Sequence, residues 1–186
     1  MKPTASIAAS VACATLVLGS ALALGQGVLK PGASAGDFSA KGTDGKTHTL
    51  KSTTATGPVF LYFIKEDCPI NASAVKYYNR LSEAYENKGN IVGVFNGNEQ
   101  QFKSWQSQFK VPFTVLLDPD MKIIKEYKAM ASPWVVHVTE QGKVAKVWPG
   151  YSTEMLSELN ASMASGSKKT AAKVSLEGAP GSTRYG

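Results

Sequence analysis

Residues 59–71 read Val59-Phe60-Leu61-Tyr62-Phe63-Ile64-Lys65-Glu66-Asp67-Cys68-Pro69-Ile70-Asn71. The apolar run Val59–Ile64 is bounded by Gly57-Pro58 and Lys65, and an uninterrupted run of this kind predicts a strand covered on both faces. A short polar turn follows, and Cys-Pro opens a helix. Pro69 suits the first helical position, because the N–H it lacks would be unpaired there anyway. Cys68 is thereby placed at the N-cap, where free backbone N–H groups and the positive end of the helix dipole face its sulfur.

The pattern extends in both directions. Val75, Tyr78, Leu81 and Tyr85 recur at three to four residues, which predicts a helix over about 70–87 that Lys88-Gly89-Asn90 stops. Strands are expected at 91–95, 113–117, 134–139 and 143–148, with helices from Asn98, over 121–127 and over about 153–163. Upstream, 37–50 alternates around Asp44-Gly45 and reads as a β-hairpin. The order ββ-β-α-β-α-β-α-β-β-α combines a central strand–helix alternation with a terminal hairpin. An α/β fold with a mixed sheet flanked by helices follows, preceded by an N-terminal β-hairpin extension.

Both ends read differently from the middle. Met1-Lys2-Pro3 precedes an apolar, small-residue run, Ile7 to Leu24, and Ala21-Leu22-Ala23 fits a cleavage site. Residues 1–25 are therefore expected to be a signal peptide, with export to the periplasm or extracellular space. The run is too rich in Ala, Ser and Gly to favour a spanning helix, so no stable membrane insertion is expected after cleavage. Residues 26–164 form one domain, and 165–186, rich in Ser, Lys, Ala and Gly, are expected to be a disordered tail.

Cleavage would remove Cys13, leaving Cys68 as the sole thiol. A lone thiol in an exported protein points to intermolecular pairing or a reactive group, set against a small buried hydrophobe. Loss of Lys2 takes the net charge from +6 to +5, and the cations are spread out. No basic stripe suits a nucleic acid. Two histidines and one cysteine offer no metal-ligand cluster, and no cofactor is expected.

The helix terminus contributes about 0.3–1 kcal/mol toward the thiolate. Glu66 and Asp67 oppose that effect, whereas Lys65 favours it. A moderately activated nucleophile is expected, able to form a mixed disulfide or a sulfenic acid that an external thiol resolves.

From about Gly32 to Ala164 the chain resembles the thioredoxin-like redoxin group, which includes alkyl hydroperoxide reductase/thiol-specific antioxidant domains. The resemblance rests on Asp37-Phe38-Ser39 with Asp44-Gly45-Lys46, on the strand–turn–Cys68-Pro69 unit and on Ser132-Pro133. It implies a thioredoxin-like fold, thiol–disulfide or peroxide chemistry at Cys68, and a cis Pro133 facing that cysteine. Departures are equally visible. Asn71 stands where Cys-x-x-Cys proteins carry their second cysteine. Leu61 and Lys65 occupy the proline and threonine positions of the peroxiredoxin motif, and Ala131 or Trp134 stands where its arginine is sought.

Site residues expected beside Cys68 are therefore Pro69, Asn71, Pro133 and Trp134. Asn71 is expected either to hydrogen-bond the sulfur or, preferentially, to cap the turn. Trp134 would form a binding wall for a partner peptide. His137 is expected to be a packed strand residue rather than a base, and Tyr77, Tyr78 and Trp105 to be core. A glutathione-dependent peroxidase would need a Gln/Trp pair at the thiol; Trp105 with Gln106 or Gln108 is available, but nothing in the sequence places them there. The expected activity is thiol-dependent antioxidant or oxidoreductase chemistry on a protein partner or a low-molecular-weight thiol, with peroxide as a further candidate substrate. The alternative is a non-catalytic peptide-binding module of the cell envelope.

Overall fold

In the computed structural model, residues 28–86 and 90–186 are described. The leader read at 1–25, with Cys13, lies outside the described residues, as do Asn87, Lys88 and Gly89. Twelve elements follow in order: β1 (Ser39–Lys41), β2 (Thr47–Thr49), α1 (Leu50–Thr53), β3 (Val59–Ile64), α2 (Pro69–Ala84), β4 (Ile91–Phe95), α3 (Glu99–Phe109), β5 (Val115–Leu117), α4 (Lys122–Glu126), β6 (Trp134–Val138), β7 (Val144–Pro149) and α5 (Thr153–Gly166).

The main sheet runs β5-β4-β3-β6-β7, and β1-β2 forms a separate two-stranded sheet. β3 is parallel to β4 and antiparallel to β6. All six residues of β3 are buried because it lies at the centre with both faces covered. Phe60, Tyr62 and Ile64 pack with α2, α3 and α5, whereas Val59, Leu61 and Phe63 pack toward Phe38, Leu50, Ile123 and Tyr127. Each fully buried apolar side chain of this size contributes about 1.5–3 kcal/mol. The mixed α/β fold expected from the sequence is thus the one observed, built on the strand that the apolar run predicted.

Most boundaries differ from expectation by one to three residues, and three differences stand out. Leu50 leaves the hairpin to begin α1, because Thr49 and Ser52 cap each other: the Ser52 N–H donates to Thr49 Oγ1 (3.1 Å) and the Thr49 N–H donates to Ser52 Oγ (2.9 Å). β5 starts at Val115 rather than Phe113. α5 runs on to Gly166.

The larger correction concerns residues 165–186. Beyond α5 they contain no helix or named strand, but they lie against the domain instead of hanging free. Ala172, Val174, Leu176 and Ala179 pack on the α2–α5 side of the core. The Tyr77 hydroxyl donates to the Glu177 carbonyl (3.2 Å), Arg80 Nη1 donates to the Ser175 carbonyl (2.9 Å) and Asn160 Nδ2 donates to the Ala172 carbonyl (2.8 Å). Composition suggested disorder, but the apolar side chains on this segment are sufficient to hold it down.

Candidate functional site

The end of β3, the turn behind it and the start of α2 place Cys68. The Cys68 N–H donates to the Lys65 carbonyl (3.3 Å), closing the turn, and Cys68 is the N-cap of α2 with Pro69 directly after it. The Asn71 N–H donates to Cys68 Sγ (3.4 Å). A helix N-terminus thus supplies a real backbone donor to the sulfur. On its other side the thiol donates to the Ser132 carbonyl (3.5 Å), a contact that exists only while the sulfur is protonated. The two contacts hold the sulfur between a partner for each of its states.

Ser132 is tied to the same turn. Its Oγ donates to the Phe63 carbonyl (3.2 Å) and accepts from the Lys65 N–H (3.2 Å). The Ser132–Pro133 peptide bond is cis, as the resemblance implied, and Pro133 leads into β6. Sequence reasoning quoted Ser132 only as part of a dipeptide; its carbonyl, facing Cys68, has no signature in residue type.

Asn71 departs from both roles expected of its side chain. Its backbone, not its amide, meets the sulfur. The side chain is fully buried and its Oδ1 accepts from the Tyr62 hydroxyl (2.5 Å). Asn71 Nδ2 has no hydrogen-bond partner. Burial first, then the neighbouring Tyr78 and Cys68, push the Tyr62 phenol well above its ordinary value, so it remains a donor. Tyr62 also stacks on Tyr78 with ring centroids 4.0 Å apart. Tyr62 went unnoticed inside an apolar run, although a buried tyrosine hydroxyl always demands a partner.

Trp134 does not form the wall expected of it. It is 4% exposed, packed among core residues beside Phe63, and its Nε1 lacks a partner. As the first residue of β6, its ring turns into the core face that Phe63 also joins. His137 behaves as anticipated, half-buried and stacked on Phe60 at 4.4 Å. Tyr77, Tyr78 and Trp105 are core.

One hollow reaches the sulfur and a second borders its neighbour Ser132. The first, of about 230 Å³, is lined by Cys68, Pro69, Trp105 and Gln108, among others. The structure therefore brings Trp105 and Gln108 to the thiol's side, while Gln106 is committed to Val111 through two 3.0 Å hydrogen bonds. No hydrogen bond joins Trp105 or Gln108 to Cys68. The other hollow, of about 240 Å³, is apolar, lined by Phe63, Met121, Ile124, Met130 and Ser132, and Gly186 stands at its edge. Among the described residues, no group of His, Cys, Asp and Glu is placed to hold a metal ion.

A model of the AhpC/TSA family matches residues 31–147, from before β1 to within β7. The chain belongs to the AhpC/TSA family. Within it, the chain is similar to the peroxiredoxin bcp of Helicobacter pylori, 30% identical over 102 residues that cover 54% of this chain and 67% of that protein. It is also similar to the thiol-disulfide oxidoreductase ResA of Bacillus subtilis, 25% identical over 134 residues, 71% of this chain and 74% of that one. Among solved structures, that of a thiol:disulfide interchange protein DsbE from Chlorobium tepidum superposes with a TM-score of 0.66 at 21% identity, covering 74% of this chain and 98% of that chain. At that identity the likeness speaks for the thioredoxin-like fold alone. No helix among the described residues is long and apolar enough to cross a membrane.

Proposed function

We propose that this AhpC/TSA-family protein is an exported thiol-dependent oxidoreductase that works through Cys68 by way of a mixed disulfide. The observation that carries this reading is the Asn71 N–H on the Cys68 sulfur at a helix N-terminus, opposite the Ser132 carbonyl. The thiolate attacks one sulfur of a partner's disulfide. The partner's S–S bond breaks, a Cys68–S bond forms, and the departing partner thiolate takes up a proton. Because Asn71 stands where a second thiol would be, the mixed disulfide persists until an external thiol attacks it and returns Cys68 to its reduced state. With peroxide the same thiolate takes one oxygen as the O–O bond breaks and the other oxygen leaves as water or an alcohol; one external thiol then condenses with the sulfenic acid to a mixed disulfide, releasing water, and a second thiol returns Cys68 to its reduced state.

Oxidised glutathione or dilute peroxide, followed by mass spectrometry of the mature protein, in which Cys68 is the sole thiol, tests this. A dithiothreitol-reversible adduct on Cys68, absent from Cys68→Ser, is expected. A thiol left unmodified under forcing oxidant would refute it and favour the second reading, a non-catalytic peptide-holding module. One observation favours that reading: Cys68 is only 4% exposed. With Trp134 in the core, such a module would hold peptides on the Ser132 edge. Export rests on the leader at 1–25; the N-terminal sequence of the protein recovered outside the cytoplasm, expected to begin between residues 24 and 26, checks it.

A further inference from the structure

The segment that follows α5 reaches the candidate site. After Leu176 and Ala179 are seated on the core, the Thr153 N–H donates to the Pro180 carbonyl (2.9 Å). Arg184 and Tyr151 then exchange two hydrogen bonds, N–H to carbonyl in each direction, both 2.9 Å. Gly186 and Ser132 do the same at 2.8 and 2.9 Å. Reciprocal bonds of this kind are those of an antiparallel strand pair, and addition of a strand to an exposed backbone edge is how extended peptides dock. Here the added strand belongs to the same chain.

Side-chain size along the path fits that arrangement. A Cβ on Gly150 would lie 2.5 Å from the Arg184 carbonyl oxygen, so the bare glycine makes room for the segment. A Cβ on Gly186 would lie 2.9 Å from Cys68 Sγ and 3.3 Å from Ile70 Cγ1. Residue 186 thus rests on the sulfur, and glycine there can cover the thiol without bonding to it.

We propose that residues 179–186 are an intramolecular strap occupying the partner's place over Cys68, and that an extended segment of a partner protein must displace it before the sulfur reacts. This rests on the mixed-disulfide reading and names its partner's chemistry. The partner carries its reacting cysteine opposite Ser132 and a large apolar side chain next to it. That side chain enters the hollow lined by Met121, Ile124 and Met130, which the strap borders but Gly186, lacking a side chain, does not fill. Met130 is 77% exposed, so covering it gives the incoming segment an advantage that the strap lacks.

Two variants of the full chain, each carrying Cys13→Ser so that Cys68 is the one native thiol, test the strap. Arg184→Pro removes the N–H donated to Tyr151 and should raise the rate of Cys68 alkylation by iodoacetamide about tenfold, with the fold checked by circular dichroism. Gly186→Cys should form an intramolecular disulfide with Cys68 in air, since the Cβ-to-sulfur separation across a disulfide is about 3 Å. Intact mass and loss of both free thiols would report it. An unchanged alkylation rate in folded Arg184→Pro, or a Gly186→Cys protein that keeps two thiols, would overturn the proposal. If Arg184→Pro does not fold, the Gly186→Cys result decides alone. Neither readout requires turnover: failure of the mixed-disulfide reading would appear separately, as no glutathione adduct on Cys68 even in the unstrapped variant.

Discussion

Tyr62→Phe removes one oxygen atom and little else. The ring remains stacked on Tyr78, and the position is fully buried, so no solvent enters to compensate. What disappears is the donor to Asn71 Oδ1. Asn71 Nδ2 is already unpaired, so the amide would lose its sole side-chain hydrogen bond while remaining buried. Leaving a buried acceptor unsatisfied costs about 1–3 kcal/mol. A loss of about 2 kcal/mol is expected in guanidinium unfolding, with the m-value unchanged. For a domain of this size that corresponds to a fall of about 4–8 °C in melting temperature. In an Asn71→Leu background the acceptor is gone, and the same substitution should cost less than about 0.5 kcal/mol. Equal costs in the two backgrounds would show that the hydroxyl acts through something other than Asn71, and the reasoning would fail.

Two further perturbations probe the domain. Burial lowers the His137 pKa below its ordinary value, so the unfolded chain takes up that proton at a higher pH than the folded one. This contribution to stability is complete above about pH 6.5 and declines as the pH falls toward the folded value. Melting temperatures taken from about pH 7.5 to about pH 5.5 should therefore fall less steeply for His137→Phe than for the parent, and parallel curves would contradict the assignment. Asp118 is buried, and its carboxylate accepts from the Lys122 N–H (2.8 Å) and the Ile124 N–H (2.9 Å) at the start of α4. Asp118→Ala should cost about 2–3 kcal/mol in chemical unfolding and Asp118→Asn about half as much; a loss below about 1 kcal/mol for the alanine variant would sink the argument.

The elements legible in the sequence are those whose physics is local. The apolar run Val59–Ile64 marks a doubly covered strand, and the Cys68-Pro69 junction marks a helix start, because each signal spans only a few residues. The Ser132–Cys68 contact joins residues far apart in sequence, and no single residue type announces a carbonyl aimed at a sulfur. Trp134 was misjudged for a related reason: its position next to Pro133 is legible, but the face of β6 on which its ring falls depends on register with Phe63. Tyr62 and Asn71 looked like a core residue and a cap, and only packing revealed them as one buried pair. For the tail, the signal was present but masked by composition. Ala172-Lys173-Val174-Ser175-Leu176-Glu177 alternates with period two, and the structure half-buries Ala172, Val174 and Leu176 while exposing the residues between. Flanking Lys, Ser and Gly dilute that alternation.

The position of Gly186 also bears on how the protein is handled. Any affinity tag or fusion joined directly to residue 186 emerges beside the sulfur and over the hollow next to Ser132. A tag at that position would then act as an unplanned ligand of the reactive centre, altering both the seating of the preceding residues and the apparent reactivity of the thiol. Rates measured on such a fusion would describe the tag as much as the protein, which makes a tag removed by cleavage at the other end of the domain the sounder design.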